Sequence, residues 1–394
     1  MFSKIKIFNG KVITPKAILE NASVLVSGGK IIGIEKGNPN INDALEIDAK
    51  GQYISPGFID IHLHGGGGSD FMDGTPEAFL NIAETHAKYG TTAMFPTTLT
   101  AEPEDLVLTI ESFEIAKSRN TNGASLLGMH LEGPYFAINQ KGAQDPRFIR
   151  NPEETQYKKL IKNYKTIKRW SAAPELPGAI AFGKFLVENN ILPAIAHTDA
   201  IYEEAEDAFR NGYTLATHFY SAMLGVTRRN AYRYAGVVEA AYLIDDMDVE
   251  IIADGAHLPA PLLKLIYKIK GPNRTALITD AMRGAAMPEG KSLLGGYKNG
   301  VEVIVENGVA KMPDRNSFAG SVATFDRLVR TMLTLAEVSL LDTITMASLT
   351  PARIMKVQDQ KGSLEIGKDA DIVIFDKDIN IQMTMVEGRI IYQL

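Results

Sequence analysis

Residues 56–65 read PGFIDIHLHG, an apolar run that ends in two histidines. In a β-strand His62 and His64 point to the same face because they are two positions apart, and Asp60 shares that face. Seven further apolar runs follow, separated by stretches with helical periodicity such as residues 76–90 and 202–212. The eight runs are FIDIHLH (58–64), TTAMFPTT (91–98), LLGMHLEG (126–133), IKRWSAAPE (167–175), LPAIAHTD (192–199), YTLATHFY (213–220), VEIIADGAH (249–257) and TALITDA (275–281). This rhythm predicts parallel βα units, and eight of them predict a closed (β/α)8 TIM-like barrel.

The two ends of the chain have a different pattern. Residues 1–55 and 356–394 contain short alternating β-type runs separated by Gly, Asn and Pro. We therefore expect a small β-sandwich domain formed by both ends and a barrel domain at 56–355, an α/β fold overall. A nucleotide-binding open sheet is the weaker alternative, because no Gly-x-Gly-x-x-Gly turn follows the first run and Gly65–Gly68 lack the Walker spacing and lysine.

The composition excludes several classes of protein. The 394 residues include no cysteine, so disulfides, thiolate zinc sites and cysteine nucleophiles are excluded. Lys and Arg total 41 against 47 Asp and Glu, and this balance creates no field that attracts nucleic acid or an anionic membrane. The first residues resemble no signal peptide, and no stretch approaches the roughly 20 apolar residues of a membrane span. We expect a cytoplasmic protein.

Ionisable side chains follow the apolar runs at nearly every strand end. They are His62, His64, Glu132, Glu175, His197, His218, His257 and Asp280. Five of the seven histidines of the chain are in this set. Since the carboxyl ends of barrel strands share one rim, where active sites are built, we expect these groups to converge.

One carboxylate and several imidazoles form a set of ligands suited to a divalent metal. Glu132, His197 and His218 would suit Zn²⁺, Fe²⁺, Mn²⁺ or Co²⁺, whereas a Mg²⁺ site consists of oxygens. His62 and His64 form a second half-site, with two satisfied core histidines as the alternative reading. Two further histidines have simpler interpretations: His130 lies one step lower in the barrel and is predicted to pack or to support a ligand, and His86 lies in a helical stretch and is predicted to be structural.

Three features remain open from the residues alone. Asp280 either acts as the base for a metal-activated water or caps the following segment. His257 is either a third imidazole ligand or a substrate-holding group. Arg228, Arg229 and Arg233 form a basic cluster that either binds a phosphate or carboxylate or belongs to a solvated loop.

Several segments, in this order, resemble the amidohydrolase superfamily and, within it, the deacetylases of phosphorylated aminosugars. They are PGFIDIHLHG, TTAMFPTT, GMHLEGPY with KGAQ, AAPE, AIAHTDA, ATHFYSAM, IIADGAH, LITDAM, FAGS and GSLEIGKDADIVIFD. The resemblance implies a barrel with a β-sandwich, a cytoplasmic homodimer, and one or two divalent metals per subunit, with Zn²⁺ first and Fe²⁺, Mn²⁺ or Co²⁺ as alternatives. It implies hydrolytic removal of acetate from N-acetylglucosamine 6-phosphate in aminosugar catabolism.

The resemblance also implies roles for single residues. Glu132, His197 and His218 match the main metal ligands, His62 and His64 match a pair that holds a second metal in some members, and Asp280 matches the catalytic acid and base. The substrate-binding positions are Gln144, Ser221, Ala222, His257 and Arg229, the last matching a phosphate-binding arginine that reaches the site of a partner subunit.

Gln144 and Ser221 depart from the family, which often has His and usually has Asn at these positions. These departures keep the galacto epimer open as a substrate. A D-aminoacylase or cyclic amidase is another alternative, which the arginine cluster disfavours. A non-catalytic protein with the same fold is a third, disfavoured because every ligand position is retained.

Overall fold

The first part of the chain forms five strands in the computed structural model, which describes residues 4–394. They are β1 (Lys4–Ile13), β2 (Ile18–Ser27), β3 (Lys30–Lys36), β4 (Ala44–Asp48) and β5 (Tyr53–Pro56). β1 pairs antiparallel with β2, and β2 with β3, whereas β4 and β5 lie parallel to β1. The β2–β3 turn contains Gly28 and Gly29, whose φ angles of 57° and 77° suit a tight hairpin turn.

The middle of the chain alternates strands and helices. The strands are β6 (Phe58–Leu63), β7 (Gly65–Gly66), β8 (Ser69–Asp70), β9 (Thr91–Pro96), β10 (Ser125–Leu126), β11 (Met129–Glu132), β12 (Ile167–Ala172), β13 (Leu192–Ile195), β14 (Leu215–Ala216), β15 (Thr227–Arg229), β16 (Tyr232–Tyr234), β17 (Asp248–Ile252) and β18 (Thr275–Ile278). The helices are α1 (Pro76–Ala87), α2 (Pro103–Arg119), α3 (Glu154–Asn163), α4 (Ala179–Glu188), α5 (Tyr202–Arg210), α6 (Val237–Leu243) and α7 (Ala260–Lys270). Each of the eight predicted runs contains a parallel strand, and the third run, residues 126–133, contains both β11 and Leu126 of β10.

These parallel strands form two sheets, β6–β9–β10 and β11–β12–β13–β14–β17–β18. Backbone hydrogen bonds connect the two sheets at both edges: Thr98 donates to the His130 carbonyl at 3.0 Å and Asp280 to the His62 carbonyl at 2.9 Å. Every residue of β6 and β9 is buried, as expected for parallel strands covered on both faces. The mixed α/β fold is thus confirmed, and the fully closed barrel stays a prediction.

The helices present apolar faces to these sheets. The Thr75 hydroxyl caps α1 by accepting a hydrogen bond from the Ala78 amide, and Pro76 occupies the first helical position, where proline is tolerated. Phe79 and Ile82 of α1 are fully buried. At the second sheet, Phe182 of α4 makes an edge-on contact with the ring of Trp170 in β12, with the ring centroids 5.1 Å apart.

The segment after the last parallel strand departs from the βα rhythm. It forms a separate antiparallel sheet of β19 (Gly290–Leu294), β20 (Val301–Glu306) and β21 (Val309–Lys311). The sequence analysis did not predict this sheet. Helix α8 (Phe325–Thr334) follows, and α9 (Leu340–Ile344) continues through a π-helical turn (Thr345–Leu349) into α10 (Thr350–Ile354).

The last strands, β22 (Ile372–Phe375), β23 (Ile381–Val386) and β24 (Arg389–Gln393), return to the first part of the chain. β22 pairs antiparallel with β5, so that both ends contribute to one eight-stranded sheet. Ile7, Val24, Ile54 and Ile372 are among the fully buried residues of its apolar cluster. The two-layered sandwich and the domain boundaries stay predictions, and residues 1–3 of the predicted first domain lie outside the described residues.

Among residues 4–394, no helix combines the length and the apolar character that a membrane crossing requires.

Candidate active site

A cavity of about 300 Å³ lies where the parallel strands end. Most of the residues that the sequence analysis selected line it, namely His64, Glu132, Gln144, His197, His218, Ser221, Ala222, His257 and Asp280. His62 lies fully buried directly beneath them. Five strand ends and the two loops that carry Gln144 and His257 therefore bring side chains to one place.

The backbone is strained at four of these positions, one of them Ala222 with a φ angle of 49°. His197, His218 and Asp280 each lie two residues beyond a parallel strand and have φ angles of 47°, 31° and 48°. Such left-handed conformations are unfavourable for residues with a Cβ atom and persist only where the surrounding structure enforces them. At His197, His218 and Asp280 the backbone turns as it leaves the strand, so that the side chain faces the cavity. This clustering of strained positions is typical of a functional site.

Glu132, His197 and His218 meet closely enough to share one ion. His218 Nε2 lies 3.1 Å from Glu132 Oε1 and 3.2 Å from His197 Nε2, and His197 Nε2 lies 3.7 Å from Glu132 Oε1. A tetrahedral ion with bonds of about 2.1 Å separates its ligand atoms by roughly 3.4 Å. The three observed separations bracket this distance, so the three side chains fit a divalent metal.

A second group shares the same carboxylate. His62 Nε2 lies 3.2 Å from Glu132 Oε1, and His64 Nε2 lies 3.5 Å from Glu132 Oε2. Both ring nitrogens of His62 are buried, and neither has a hydrogen-bond partner of good geometry among residues 4–394. Buried polar atoms are rarely left without a partner, so His62 is a candidate ligand for a metal ion in this second group. Glu132 lies between the two groups and could bridge them.

The electrostatics of the cavity favour positive charge. Burial opposes ionisation of Glu132, but the charge of His62 and the adjacent rings of His197 and His218 hold its pKa well below the usual value. Burial also opposes protonation of His62, yet the Glu132 and Asp280 carboxylates raise its pKa to about 10. By contrast, burial lowers the pKa of His218 despite its hydrogen bond to Glu132. Buried carboxylates beside a neutral imidazole are suitable ligands for a cation.

A hydrogen bond at Nδ1 holds the His197 ring in one tautomer. Its Nδ1 lies 2.7 Å from the carbonyl oxygen of Gln140, which requires the proton on Nδ1 and leaves the Nε2 lone pair free. The Gln140 side chain donates to Asp199 at 2.8 Å. Glu175 accepts hydrogen bonds from the Thr198 hydroxyl and the Asp199 amide, both at 2.6 Å. Glu175 therefore supports the loop that carries His197. The sequence analysis expected Glu175 at the active-site rim, but it does not line the cavity.

Asp280 and Gln144 flank the shared carboxylate. Asp280 Oδ1 lies 3.1 Å from His64 Nε2. Burial raises the pKa of Asp280, but the charge of His62 and the hydrogen bond to His64 outweigh it and lower that pKa. Gln144 donates to Glu132 Oε2 at 2.7 Å and accepts from the Thr100 amide at 2.8 Å, so its side chain is fixed at both ends.

His257 reaches the cavity from a loop. β17 ends at Ile252, so His257 lies five residues beyond the strand and not at its end, as the sequence analysis had placed it. Asp254 orients it, because its carboxylate accepts from the His257 backbone amide and lies 2.9 Å from the ring Nδ1. Phe318 packs against the ring with a centroid distance of 4.4 Å. With Nδ1 engaged by Asp254, Nε2 is the ring nitrogen left to contact a ligand in the cavity.

Arg229 is a predicted substrate-binding residue that lies outside the cavity. It lies in the exposed hairpin β15–β16, with its guanidinium 5.5 Å from the ring centre of Tyr234. Within residues 4–394 of this single chain it does not line the cavity. A role at the site of a partner subunit stays a prediction.

A buried ion pair beneath the cavity was missed by the sequence analysis. Arg169 and Glu250 are fully buried, and the guanidinium donates to both carboxylate oxygens, to Glu250 Oε2 at 2.8 Å. Arg169 also donates to the Thr217 hydroxyl at 2.9 Å. Glu250 Oε2 lies 3.5 Å from Nδ1 of His62. The available signal was a charged residue beside apolar neighbours in each of the two runs: Arg169 precedes Trp170, and Glu250 lies between Val249 and Ile251.

Replacing Glu250 by Ala is expected to destabilise the protein by about 3–5 kcal/mol, because it leaves the Arg169 guanidinium buried without a counter-charge. Urea unfolding would measure the loss. A matched control is Glu154→Ala, which breaks an exposed ion pair with Lys158 and should have little effect. A loss below about 1 kcal/mol for Glu250→Ala would contradict the importance of this pair.

The two remaining histidines behave as predicted. His130 Nε2 lies 2.7 Å from the Ser171 hydroxyl and its Nδ1 3.1 Å from the Thr97 hydroxyl, so both nitrogens are engaged below the ligand layer. His86 is buried, and its Nε2 lies 2.9 Å from the Gly65 carbonyl oxygen. Both rings support the structure around the cavity.

Comparison with known proteins identifies a family and relatives that match most of the chain. The amidohydrolase family matches residues 53–391. The N-acetylglucosamine-6-phosphate deacetylase of Lysinibacillus sphaericus is 31% identical over 397 residues, covering 99% of this chain and 98% of that protein. The N-acetylgalactosamine-6-phosphate deacetylase of Escherichia coli O157:H7 is 32% identical over 381 residues, covering 96% and 97%.

Solved structures agree with these matches over the same length. The crystal structure of N-acetylglucosamine-6-phosphate deacetylase from Pasteurella multocida has a TM-score of 0.92 and 28% identity, covering 98% of this chain and 99% of that one. A mutant of the Mycobacterium smegmatis enzyme in complex with N-acetyl-D-glucosamine-6-phosphate has a TM-score of 0.90 and 27% identity, covering 99% and 100%. With its fold, its buried Glu and His groups and a match over most of its length, the chain belongs to the amidohydrolase family of metal-dependent hydrolases.

Proposed function

We propose that this protein hydrolyses N-acetylglucosamine 6-phosphate to acetate and glucosamine 6-phosphate. The observation that carries the proposal is the convergence of Glu132, His197, His218 and Asp280 in one cavity. Relatives that match nearly the whole chain and are named as deacetylases of this substrate support it. The reaction would belong to aminosugar catabolism.

The metal would be held first by Glu132, His197 and His218. His62 and His64 would hold a second ion where two are bound. We propose Zn²⁺ before Fe²⁺, Mn²⁺ or Co²⁺, since a mixed carboxylate and imidazole set suits each of them. The chemistry that a divalent ion supplies in such a site is activation of water near neutral pH and polarisation of the amide carbonyl.

The remaining steps belong to side chains of this chain. Asp280 would accept the proton of the attacking water and then deliver it to the departing amine, as a carboxylate with a lowered pKa can do while it stays ionised in the resting state. Gln144 would donate to the carbonyl oxygen as negative charge develops there. His257, braced by Asp254, would hold the sugar in place.

The phosphate would bind on the side of the cavity formed by Ser221 and Ala222. Arg229 would complete that site from a partner subunit, which makes the proposed assembly a homodimer. We further propose a cytoplasmic location, a closed (β/α)8 barrel at residues 56–355, and a β-sandwich at 1–55 plus 356–394. The hydrogen bonds between the two parallel sheets and the pairing of β5 with β22 support this domain division.

N-Acetylgalactosamine 6-phosphate is a second candidate substrate. The Escherichia coli relative that is named for it is as similar to this chain as the relatives named for the gluco epimer. Ser221 has a short hydroxyl where the family usually has an amide, so specificity at this side of the cavity differs from the family pattern.

Acetate release tests the proposed function directly. We would compare N-acetylglucosamine 6-phosphate, its galacto epimer and unphosphorylated N-acetylglucosamine. We expect the 6-phosphate to raise kcat/KM by at least about 100-fold, because each charge-assisted hydrogen bond contributes about 1.5–3 kcal/mol. Absence of acetate release from both phosphorylated sugars would refute the proposal.

Replacing Arg229 by Ala is expected to raise KM for the phosphorylated sugar by about 10–100-fold and to leave the slow reaction of the unphosphorylated sugar unchanged. Arg228→Ala is the matched control, because adjacent residues of a strand face opposite sides. Equal effects of the two substitutions, or an equal effect of Arg229→Ala on both sugars, would argue against a phosphate-binding role for Arg229.

A further inference from the structure

A second cavity, of about 270 Å³, lies beside the active-site cavity. Four residues line both spaces: Leu99, Ala143, Gln144 and Leu294. Leu99 and Ala143 are partly buried and pack against the apolar cluster that contains Leu294. The boundary between the two cavities is therefore mainly apolar, with the fixed Gln144 amide at one side.

In the described part of the chain, every acidic side chain that lines the second cavity has a basic partner. Met72, Leu108, Phe148 and Val301 contribute apolar surface. The carboxylates that reach it are paired within the chain: Asp73 with Arg283 at 2.6 Å, Asp105 with Lys298 at 3.1 Å, and Asp145 with Arg147 at 2.5 Å. An uncharged, apolar group suits this environment better than an ion does.

The second cavity lies on the side opposite the proposed phosphate site. One sheet has the order β6, β9, β10 and the other β11, β12, β13, β14, β17, β18. The Thr98 amide, just after β9, donates to the His130 carbonyl in β11, so β11 also adjoins β9 and β14 lies four steps from β9. Leu99 follows β9, whereas Ser221 and Ala222 follow β14. In the proposed closed ring of eight strands these positions face each other across the centre, with Glu132 and Asp280 between them.

A substrate that spans the centre must therefore point its two ends in opposite directions. With the sugar phosphate at Ser221 and Ala222 and the amide over Glu132, the acyl substituent points towards Leu99, Leu294 and the second cavity. Gln144, the proposed donor to the carbonyl oxygen, lies at the boundary that the acyl group would pass.

We propose that the second cavity is an acyl-binding site, and that the enzyme also hydrolyses aminosugar phosphates whose N-acyl group is longer than acetyl, such as butyryl or hexanoyl. This inference rests on the proposed function. The reaction is the same hydrolysis: the amide C–N bond breaks, a C–O bond forms with water, and the products are the carboxylic acid and the protonated amine. The two reactions differ only in the carboxylic acid released, which has a longer chain than acetate.

The test measures kcat/KM of the metal-loaded enzyme with N-acetyl-, N-propionyl-, N-butyryl- and N-hexanoylglucosamine 6-phosphate. We expect the butyryl and hexanoyl compounds to remain within about tenfold of the acetyl compound, because burial of each added methylene favours binding. In a closed acetyl pocket, each added methylene would lower kcat/KM by roughly 10–200-fold. A fall of more than 100-fold at butyryl would overturn the proposal.

A substitution inside the second cavity provides an independent measurement. Val301→Trp fills part of the space, so the ratio of hexanoyl to acetyl kcat/KM should fall at least tenfold relative to wild type. Ile366→Trp, at an exposed position in the C-terminal region, is the control and should leave the ratio unchanged. An unchanged ratio in folded Val301→Trp would count against the acyl site, and if that variant does not fold, the wild-type series decides. Hydrolysis of the acetyl compound alone would refute only this inference, whereas no hydrolysis of any compound would refute the proposed function.

Discussion

Replacement of Asp280 by Asn is expected to lower kcat for acetate release by about 10²–10⁴-fold while the metal content stays at the wild-type level. The substitution keeps the size of the side chain but removes the oxygen that can accept and return a proton, and general acid–base catalysis is worth about that factor. The carboxylate lies beside His64 and not within the group of Glu132, His197 and His218, so its loss should spare those three contacts.

Steady-state kinetics and elemental analysis of the same preparation measure both quantities for Asp280→Asn. The matched control is Asp207→Asn on the exposed face of α5, which should retain wild-type turnover. Turnover within threefold of wild type would remove Asp280 from the proton-transfer step. Joint loss of metal and activity would instead make Asp280 a ligand.

Replacement of Glu132 by Gln is expected to abolish both metal binding and turnover. Glutamine retains the length of the side chain but has no negative charge, and Glu132 is the carboxylate common to both groups of possible ligands. Loss of residues that merely support a ligand weakens metal affinity by 10–100-fold, so loss of the shared ligand should exceed about 100-fold. Turnover should fall in proportion to the bound metal.

Thermal unfolding with and without added Zn²⁺ gives a readout for Glu132→Gln that does not depend on activity. An ion that binds the folded state stabilises it by mass action, so the wild-type Tm should rise with Zn²⁺ whereas that of the variant should not. Glu188→Gln, at an exposed position of α4, should respond like wild type. An equal rise of Tm in Glu132→Gln would mean that the ion binds elsewhere.

The sequence predicted those parts of the site that depend only on the geometry of the parallel strands. Apolar runs that end in His197, His218 and Asp280 predict convergence because the carboxyl ends of parallel strands meet. The structure places these residues around one cavity. The positions of His62 and His64 followed from the alternation of side chains along a strand.

Features that depend on contacts between distant segments were not predictable in this way. The Arg169–Glu250 pair joins residues 81 positions apart, and nothing in either strand run indicates its partner. His257 is directed by Asp254 within an irregular loop, so the strand pattern misplaced it. The β19–β21 sheet, which contributes one wall of the second cavity, lies in an insertion after the last parallel strand, where the βα rhythm has ended.

The most direct measurement is an anomalous diffraction map of crystals of the Zn²⁺-loaded enzyme, collected at the zinc absorption edge. We expect a peak at bonding distance, about 2.0–2.2 Å, from a Glu132 oxygen and from Nε2 of both His197 and His218. Zinc bound only at other residues, or a fully active enzyme with no ion at these three side chains, would contradict the proposed metal centre.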